Sequence, residues 1–221
     1  MKFNDVGILG VGSYLPEKVL TNITIEKTVD TTDEWIHSKL GIKERRIVED
    51  ELPSDMGYLA ALKALEMSKM TIEDIDLIVV ATSSPEKISP STSCIIHSKF
   101  NTEKNIPAVD INAVCSGFVY ALSVADQFVR TGMYKNILVI GAEILHRLVN
   151  YKDRETCILF GDGAGAWILS RTEFESKDGL FSTHLRANGE VGDLFVLPAG
   201  GSKIPFTQEV LEKNQQYVIM K

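Results

Sequence analysis

Cys115 is the residue whose surroundings in the sequence best fit nucleophilic chemistry. It lies in the run Asp110–Phe118, between a predicted buried strand and a predicted buried helix. A cysteine at a helix N-terminus is close to the positive end of the helix dipole, and free backbone N–H groups there can stabilise a thiolate or a developing oxyanion. Gly117 would let a substrate approach the backbone closely. The pattern is compatible with a nucleophilic thiol, but a small buried packing residue, which is what most free cysteines are, is the more common case, and the residues alone leave both open.

The other cysteines and the histidines carry weaker signals. Cys94 and Cys157 lack the helix-start setting and are predicted to be packing residues. A Cys–His pair requires proximity in space, which the sequence does not define. Each of the four histidines is predicted to be a surface or internally hydrogen-bonded residue, and His146, in the loop after a predicted strand, is the first candidate for a partner.

Two glycine clusters, Gly7–Gly12 and Gly161–Gly165, invite comparison with phosphate-binding loops. The first fails the dinucleotide spacing because Leu15 stands where the last glycine should be, and no lysine–serine ending of a nucleotide-binding loop occurs. The second precedes a strand rather than a helix. Both patterns therefore indicate close approach of the backbone to another element.

Strands and helices alternate around these residues. Apolar, β-branched runs predict strands at Val6–Val11, Ile75–Ala81, Ala108–Ile111, Asn136–Gly141 and Ala164–Ser170. Helices are predicted at Met56–Lys69, with a stripe of small residues, at a shorter segment beginning at Thr32–Glu34, and at Ser116–Thr131. Strands that are apolar on both faces predict a central sheet covered by helices on both sides, which is an α/β layered fold.

The last predicted helix and the residues beyond Arg171 complete this outline. Ser116–Thr131 is apolar nearly all round, which predicts a helix inside the protein, and Gly132 ends it. Beyond Arg171 we predict a turn at Glu173–Asp178, a strand at Gly179–Leu185, and a helix followed by a strand within Thr207–Lys221.

Composition excludes several classes of protein. The chain has 221 residues, a net charge of −7, a pI near 5.2 and a mean hydropathy of +0.03. These values are typical of a globular domain and not of a disordered chain, a basic nucleic-acid binder or a polybasic membrane anchor. Three cysteines without a C-x-x-C pair predict a reducing compartment and no zinc framework. Without an apolar span or a signal peptide, we expect a cytoplasmic protein with no nucleic-acid or membrane partner.

The sequence resembles β-ketoacyl-acyl-carrier-protein synthase III, a condensing enzyme of the thiolase superfamily. The resemblance covers residues 6 to about 205, and the run around Cys115 matches the nucleophile motif of this family. The other segments that match, in the order of the chain, are Gly10–Pro16, Thr32–Ile36, Gly41–Arg45, Tyr120–Asp126, Phe160–Ala166 and the pair Leu197-Pro198.

The resemblance implies a thiolase-like fold of two similar halves, each a mixed five-stranded sheet with helices. Residues 1–172 would be the first half, which carries the nucleophile, and residues 173–221 the beginning of the second, so that the chain would correspond to the N-terminal two-thirds of such a protein. Cys115 would take an acyl group, usually acetyl, from coenzyme A. The acyl-enzyme would condense with malonyl-acyl-carrier protein, losing carbon dioxide and initiating fatty-acid synthesis. Coenzyme A enters as a thioester substrate, and neither a cofactor nor a metal is expected.

The same resemblance implies further site residues and partners. Trp35 and Arg154 would hold the adenine of coenzyme A between them, with Thr31 nearby; without the resemblance, Trp35 would be a partly buried core residue and Arg154 a surface charge. A homodimer is expected. Docking of the carrier protein would need a basic patch, for which Lys43, Arg45 and Arg46 are a weak candidate.

Two departures from the family pattern leave alternatives open. The histidine and asparagine that relatives place in the second half to promote decarboxylation have no counterpart here, and we expect the chain to be truncated; a non-catalytic half-domain that binds acyl-CoA is the alternative. Ser89 stands about where many relatives have a bulky aromatic residue. The smaller side chain would leave room for a starter longer than acetyl but does not decide the substrate. Synthases of secondary metabolites, with polyketide or quinolone-type starters, share much of the same motif set, so they also fit the first half.

Overall fold

The computed structural model of the chain describes residues 5–172 and 179–221. Within them the chain forms two compact units that are interleaved along the sequence. The first comprises residues 5–15, 50–143, 163–172 and 179–185; the second comprises residues 16–49, 144–162 and 186–221. The predicted division into halves at residue 172 stays a prediction.

The strands and helices are as follows. The strands are β1 (Asp5–Tyr14), β2 (Val19–Thr21), β3 (Glu44–Arg46), β4 (Leu77–Ala81), β5 (Ala108–Ile111), β6 (Asn136–Ile144), β7 (Asp162–Thr172), β8 (Phe195–Val196) and β9 (Ile219–Met220). The helices are α1 (Asn22–Ile25), α2 (Asp33–Leu40), α3 (Pro53–Ser68), α4 (Thr92–Lys99), α5 (Gly117–Thr131), α6 (Arg154–Cys157) and α7 (Gln208–Glu212). All five strands predicted in the sheet are present, and so are the predicted helices α2, α3 and α5. The helix and the strand predicted within Thr207–Lys221 are also present, as α7 and β9, whereas α1, α4 and α6 were not predicted.

The first unit is built on a mixed five-stranded sheet with the order β1-β7-β6-β4-β5. β4 is parallel to β5 and to β6, and β1 is antiparallel to β7. Every residue of β4 is buried, which explains why this strand is a continuous apolar run. The carboxyl ends of three parallel strands therefore lie together at one edge of the sheet.

Helices cover both faces of this sheet, as the sequence predicted. Ile78 and Val80 pack with α3 and α4 in one buried cluster, and Val79 packs with α5 in the other. Residues of a strand point alternately to opposite faces, so one apolar run contributes to both clusters.

The glycines of β1 let α3 pack unusually close to the strand. A Cβ atom at Gly12 would lie 2.2 Å from the carbonyl oxygen of Ala60, and one at Gly10 would lie 2.2 Å from that of Ala64. Both alanines are fully buried. The first glycine cluster and the small-residue stripe of α3 are therefore the two sides of one contact between a strand and a helix.

The second unit has its own small core. Its two sheets are the antiparallel pairs β2–β3 and β8–β9. The buried residues of its hydrophobic cluster come from α1, α2, α6 and the segments beside them: they are Ile25, Ile36, Val149, Cys157, Ile158 and Val218. In α2, the Thr32 hydroxyl accepts a hydrogen bond from the Trp35 amide at 3.1 Å, and Gly41 ends the helix with a φ of +71°.

Three expectations from the sequence need correction or lie beyond the described residues. The strand predicted at Gly179–Leu185 is wrong, because the segment is irregular and its backbone contact with β1 is one hydrogen bond, from the Leu180 amide to Val6 at 2.9 Å. In α5 the exposed fractions of Val119 and Val124 are 45% and 36%, so the sheet buries only one face of this helix. The turn predicted at Glu173–Asp178 lies outside the described residues. No helix in the described part of the chain is both long and apolar enough to cross a bilayer.

Candidate active site

Cys115 lies in a tight turn between β5 and α5. The turn is a single 3₁₀ segment, Val114–Ser116, followed directly by the first residue of α5. It is held locally: the Val114 amide donates to the side-chain oxygen of Asn112 at 3.2 Å, and the Ser116 hydroxyl donates to the carbonyl of Ala113 at 2.9 Å. The Cys115 side chain is exposed. The sequence interpretation of a thiol next to a helix start therefore matches the geometry.

The residue before Cys115 has a strained backbone. Val114 has a φ of +48°, in the left-handed region that β-branched residues rarely adopt. Such a conformation costs on the order of 1–3 kcal/mol and persists only where the surrounding structure enforces it. The left-handed conformation of Val114 sets the direction in which the chain passes from β5 into α5. It therefore also sets the position of the Cys115 backbone.

The carboxyl ends of the neighbouring parallel strands surround the start of this turn. The Thr82 amide, just after β4, donates to the carbonyl of Ile111 at 3.3 Å. On β6, the Glu143 carboxylate accepts hydrogen bonds from the Ser83 amide at 2.8 Å and from the Ser84 hydroxyl at 2.5 Å. This edge is where open α/β sheets bind ligands, because loops from several strands meet there.

The other cysteines differ from one another. Cys157 is buried, as predicted, and its burial raises the pKa of the thiol, with Asp153 acting in the same direction and Arg45 in the opposite one. Cys94 is exposed on α4, so the prediction that it is a packing residue is wrong.

His146 has a hydrogen-bond partner in its own unit. Its Nδ1 atom bonds to the carboxylate of Asp162, and its amide donates to the same carboxylate at 3.1 Å. The interpretation of His146 as an internally hydrogen-bonded residue is confirmed, while its pairing with Cys115 stays a hypothesis.

Trp35 and Arg154 lie together in the second unit. The guanidinium carbon of Arg154 is 4.2 Å from the centroid of the Trp35 ring. Trp35 is on α2 and has an exposed fraction of 37%, and Arg154 begins α6 after the N-cap residue Asp153. At this distance the guanidinium stacks directly on the ring, so the pair as it stands leaves no room for an adenine between its members, and a base can enter only if the Arg154 side chain moves away from Trp35. Trp35 is therefore more exposed than a core residue, and Arg154 is paired rather than an isolated surface charge.

Thr31 and a cleft lie in the same unit. The Thr31 hydroxyl is buried and has no hydrogen-bond partner among residues 5–172 and 179–221. A buried hydroxyl is usually paired, and since this oxygen has almost no accessible surface, a ligand atom could reach it only after a local rearrangement. A cleft of about 500 Å³ is lined by residues of β2, α1 and α2, including His37, and by Lys43. The lining combines the ammonium of Lys43 with the carboxylates of Asp33 and Glu34, so the cleft is not positively charged as a whole.

Arg45 is a structural residue that the sequence interpretation placed on the surface. It is only 4% exposed, and its guanidinium donates to the side-chain oxygen of Asn22 and to the carbonyl of Ile158. Burial lowers the pKa of Arg45, with Cys157 and Tyr151 acting in the opposite direction. Arg45 is therefore removed from the proposed docking patch. The signal that sequence reasoning lacked is pairing in space, because Asn22, Arg45 and Ile158 are far apart along the chain.

Comparison with known proteins relates these features to a family. The sequence profile described as 3-Oxoacyl-[acyl-carrier-protein (ACP)] synthase III matches residues 109–189. The chain is 50% identical over 216 residues to a Beta-ketoacyl-[acyl-carrier-protein] synthase III from Caldanaerobacter subterraneus subsp. tengcongensis, covering 97% of this chain and 64% of that protein. It is 54% identical over 196 residues to the protein of the same name from Xanthomonas euvesicatoria pv. vesicatoria, covering 88% of this chain and 59% of that protein.

Solved structures agree. A 3-oxoacyl-[acyl-carrier-protein] synthase III from Aquifex aeolicus VF5 superposes with a TM-score of 0.86 and 43% identity, over 98% of this chain and 64% of that one. The priming beta-ketosynthase from the R1128 polyketide biosynthetic pathway superposes with a TM-score of 0.87 and 29% identity, over 100% of this chain and 64% of that one.

A helix-covered mixed sheet, with an exposed cysteine in the turn from a parallel strand into a helix, identifies the thiolase-like fold class. Within that class, the chain is similar over most of its length to β-ketoacyl-[acyl-carrier-protein] synthase III proteins. It spans about three-fifths of the length of the curated relatives that it matches.

Proposed function

We propose that the chain carries the acyl-accepting part of a β-ketoacyl-[acyl-carrier-protein] synthase III, with Cys115 as the nucleophile. The observation that supports this most directly is the exposed thiol in the strained turn between β5 and α5. Relatives at about 50% identity bear the synthase name, which supports the same reaction class.

The first chemical step is transfer of the acyl group. The Cys115 thiolate attacks the carbonyl carbon of acyl-CoA, a new carbon–sulfur bond forms, and the coenzyme A thiolate leaves and takes up a proton. Amide N–H groups at the start of α5 are suited to stabilise the negative charge on the carbonyl oxygen in the tetrahedral intermediate. The product is an acyl-enzyme thioester, so the overall reaction would follow ping-pong kinetics.

The second step would consume the acyl group. Malonyl-acyl-carrier protein would lose carbon dioxide, and the resulting carbanion would attack the thioester carbon and release the Cys115 thiolate with a 3-ketoacyl product. By the family resemblance, a histidine and an asparagine assist this step, and no residue of these 221 is assigned to either role.

Coenzyme A would bind in the second unit. Trp35 and Arg154 would hold the adenine after the guanidinium moves off the ring, with Thr31 as a further residue of this site. Lys43, on the cleft beside α2, would contact a phosphate of the coenzyme in spite of the neighbouring carboxylates of Asp33 and Glu34.

A homodimer and a cytoplasmic location complete the proposal. β5 is an edge strand whose Val109 side chain is 42% exposed, and an edge strand with exposed apolar residues is a natural site for pairing with a second copy. Three free cysteines fit a reducing compartment. Analytical ultracentrifugation and a thiol titration of freshly purified protein test these two points.

A synthase of secondary metabolites is the alternative that one observation favours. The structural similarity to a priming beta-ketosynthase of a polyketide pathway supports it, but the identity of 29% is well below the 50% identity to a relative named Beta-ketoacyl-[acyl-carrier-protein] synthase III. Competition between acetyl-CoA and longer or branched acyl-CoA starters separates the two, since preference for a bulky starter over acetyl-CoA would favour the alternative.

Intact-mass measurement after incubation with acetyl-CoA tests the nucleophile. The 24.5 kDa protein should gain one acetyl group, and Cys115→Ala should gain none while keeping its far-UV circular dichroism and melting temperature, because the side chain is exposed. Cys94→Ala is the matched control, since it removes another exposed thiol of the same unit. Acetylation that survives Cys115→Ala would refute the assignment.

A further inference from the structure

A buried polar network connects the two elements that carry Trp35 and Arg154. Asn22 is fully buried at the start of α1. Its amide nitrogen donates to the Asp33 carboxylate and to the carbonyl of Ile42, each at 2.8 Å. Asp33 lies in the first turn of α2, and Ile42 follows directly after the residue that ends this helix. Asn22 is thus bonded at both ends of the helix that bears Trp35.

Arg45 continues the network to α6. One guanidinium nitrogen donates to the side-chain oxygen of Asn22, and another donates to the carbonyl of Ile158. Ile158 is the C-cap residue of the helix that Arg154 begins. Hence a path of hydrogen bonds runs from the first turn of α2, through Asn22 and Arg45, to the last turn of α6.

The chemistry of this network makes it rigid. Arg45 forms none of the ion pairs found in the described ranges 5–172 and 179–221, so its buried charge is held by neutral oxygens only. Its Nε atom has no partner there either. A buried cation without a carboxylate depends on each of its few acceptors, so displacement of either helix would leave it poorly satisfied.

We propose that Asn22 and Arg45 are positioning residues that hold α2 and α6 in the arrangement that places Arg154 opposite the face of Trp35. This inference rests on the proposed function, because it assumes that the Trp35–Arg154 pair binds the adenine of coenzyme A. It predicts that damage to the network weakens binding of the nucleotide part of the substrate selectively.

The proposal is tested by exchanging the donor and the acceptor of the hydrogen bond between Asn22 and Asp33. Asn22→Asp keeps an acceptor for Arg45 but loses the amide that donates to Asp33 and Ile42, and it places two carboxylates side by side. In the double variant Asn22→Asp/Asp33→Asn, the new amide at position 33 can donate to the new carboxylate at position 22. The dissociation constant of coenzyme A is measured by calorimetry for the wild type, both single variants and the double variant.

We expect Asn22→Asp to raise the dissociation constant about 3- to 10-fold, the usual effect of one lost buried hydrogen bond. The double variant should bind within about twofold of Asp33→Asn alone, since the bond is restored. Acylation of Cys115 by acetyl-pantetheine, which lacks the nucleotide, should be unchanged in all four proteins. Asn136→Asp is the matched control: it buries a carboxylate in the first unit, and should lower the melting temperature without changing coenzyme A binding.

Several outcomes would overturn the inference. Unchanged binding in Asn22→Asp, or an equal loss with acetyl-pantetheine, would reduce the network to a general structural role. If Asn22→Asp does not fold, Asp33→Ala removes the same hydrogen bond from a half-buried position, and unchanged binding there would refute the proposal. Trp35→Ala separates failure of the positioning role from failure of the nucleotide site. If this variant leaves coenzyme A binding unchanged, the proposed nucleotide site itself is wrong.

Discussion

Arg154 stacks its guanidinium on the face of Trp35, with 4.2 Å between the guanidinium carbon and the ring centroid. The two residues are more than one hundred positions apart in the sequence, and each lies on a short helix of the second unit. The two groups are in direct contact, so a base that stacks between them has to displace the Arg154 guanidinium from the ring.

Removal of either member of this pair should weaken coenzyme A binding. We expect Trp35→Ala and Arg154→Ala each to raise the dissociation constant by about 2- to 30-fold, the range of cation–π and stacking contributions. Arg154→Lys should recover little, because an ammonium keeps the charge but not the planar group. Calorimetric titration with coenzyme A checks this, with Arg147→Ala as the basic control. Loss of affinity in the control as large as in Arg154→Ala would point to general charge attraction instead.

Relief of the strain at Val114 should separate stability from reactivity. Val114→Gly removes the side chain that disfavours a φ of +48°, so we expect the free energy of unfolding to stay level or rise by up to about 1 kcal/mol. Because Cys115 comes next, a looser turn should slow its acylation. Urea unfolding and the rate of acetylation measure the two effects.

The matched variant for that experiment is Val119→Gly, also an exposed valine but within the right-handed helix α5. It should lower the free energy of unfolding by about 0.5 kcal/mol or more, because glycine disfavours a helix interior. If Val114→Gly destabilises the protein as much, the left-handed conformation is not strained.

A methyl group at Gly12 should disrupt the contact of β1 with α3. In Gly12→Ala the new Cβ atom would meet the Ala60 carbonyl oxygen at 2.2 Å and the Ala64 amide nitrogen at 2.6 Å, and backbone atoms cannot move aside as a flexible side chain can. We expect a loss of about 1–3 kcal/mol in the free energy of unfolding. Gly189→Ala is the control, because its Cβ would have no atom within 4 Å among the described residues. Equal stability of the two variants would contradict the close approach.

The ion pair between Asp55 and Lys99 should make stability depend on pH in the acid range. Partial burial acts to raise the pKa of Asp55, but hydrogen bonds from Lys99 and the Leu52 amide, with the Lys99 charge, outweigh it and hold the pKa below its usual value. A carboxyl group whose pKa is lower in the folded state stabilises the fold above the unfolded-state pKa. That stabilisation is lost as the pH falls through the folded-state pKa.

Urea unfolding between about pH 6 and about pH 2.5 measures this effect. Asp55→Asn should be less stable than the wild type at the upper pH, by less than about 1 kcal/mol because the carboxylate is 36% exposed, and the difference should vanish at the lower pH. Lys99→Gln should flatten the same part of the profile. If the difference in stability between Asp55→Asn and the wild type is the same at all pH values, the Asp55–Lys99 ion pair is not the cause of the pH dependence.

Local sequence patterns predicted much of the first unit. Apolar runs such as Leu77–Ala81 identify buried parallel strands because both faces of the sheet must be covered, and Gly132 marks the end of α5 because it can adopt a left-handed conformation. The position of Cys115 at the strand-to-helix turn follows from the same patterns. Gly179–Leu185 misled the prediction: its composition suits a strand, but strand formation requires a neighbour with matching hydrogen bonds, which composition does not encode.

The sequence by itself determined the fold class, the family resemblance and the thiol at a helix start, because each depends on residues that are close together along the chain. Only the tertiary structure decided that Arg154 stacks on Trp35, that Arg45 is buried on Asn22 rather than exposed, and that Cys94 is exposed. The physical reason is that burial and pairing depend on which distant segments pack together. A charged side chain such as Arg45 looks the same in the sequence whether water or a buried amide satisfies it.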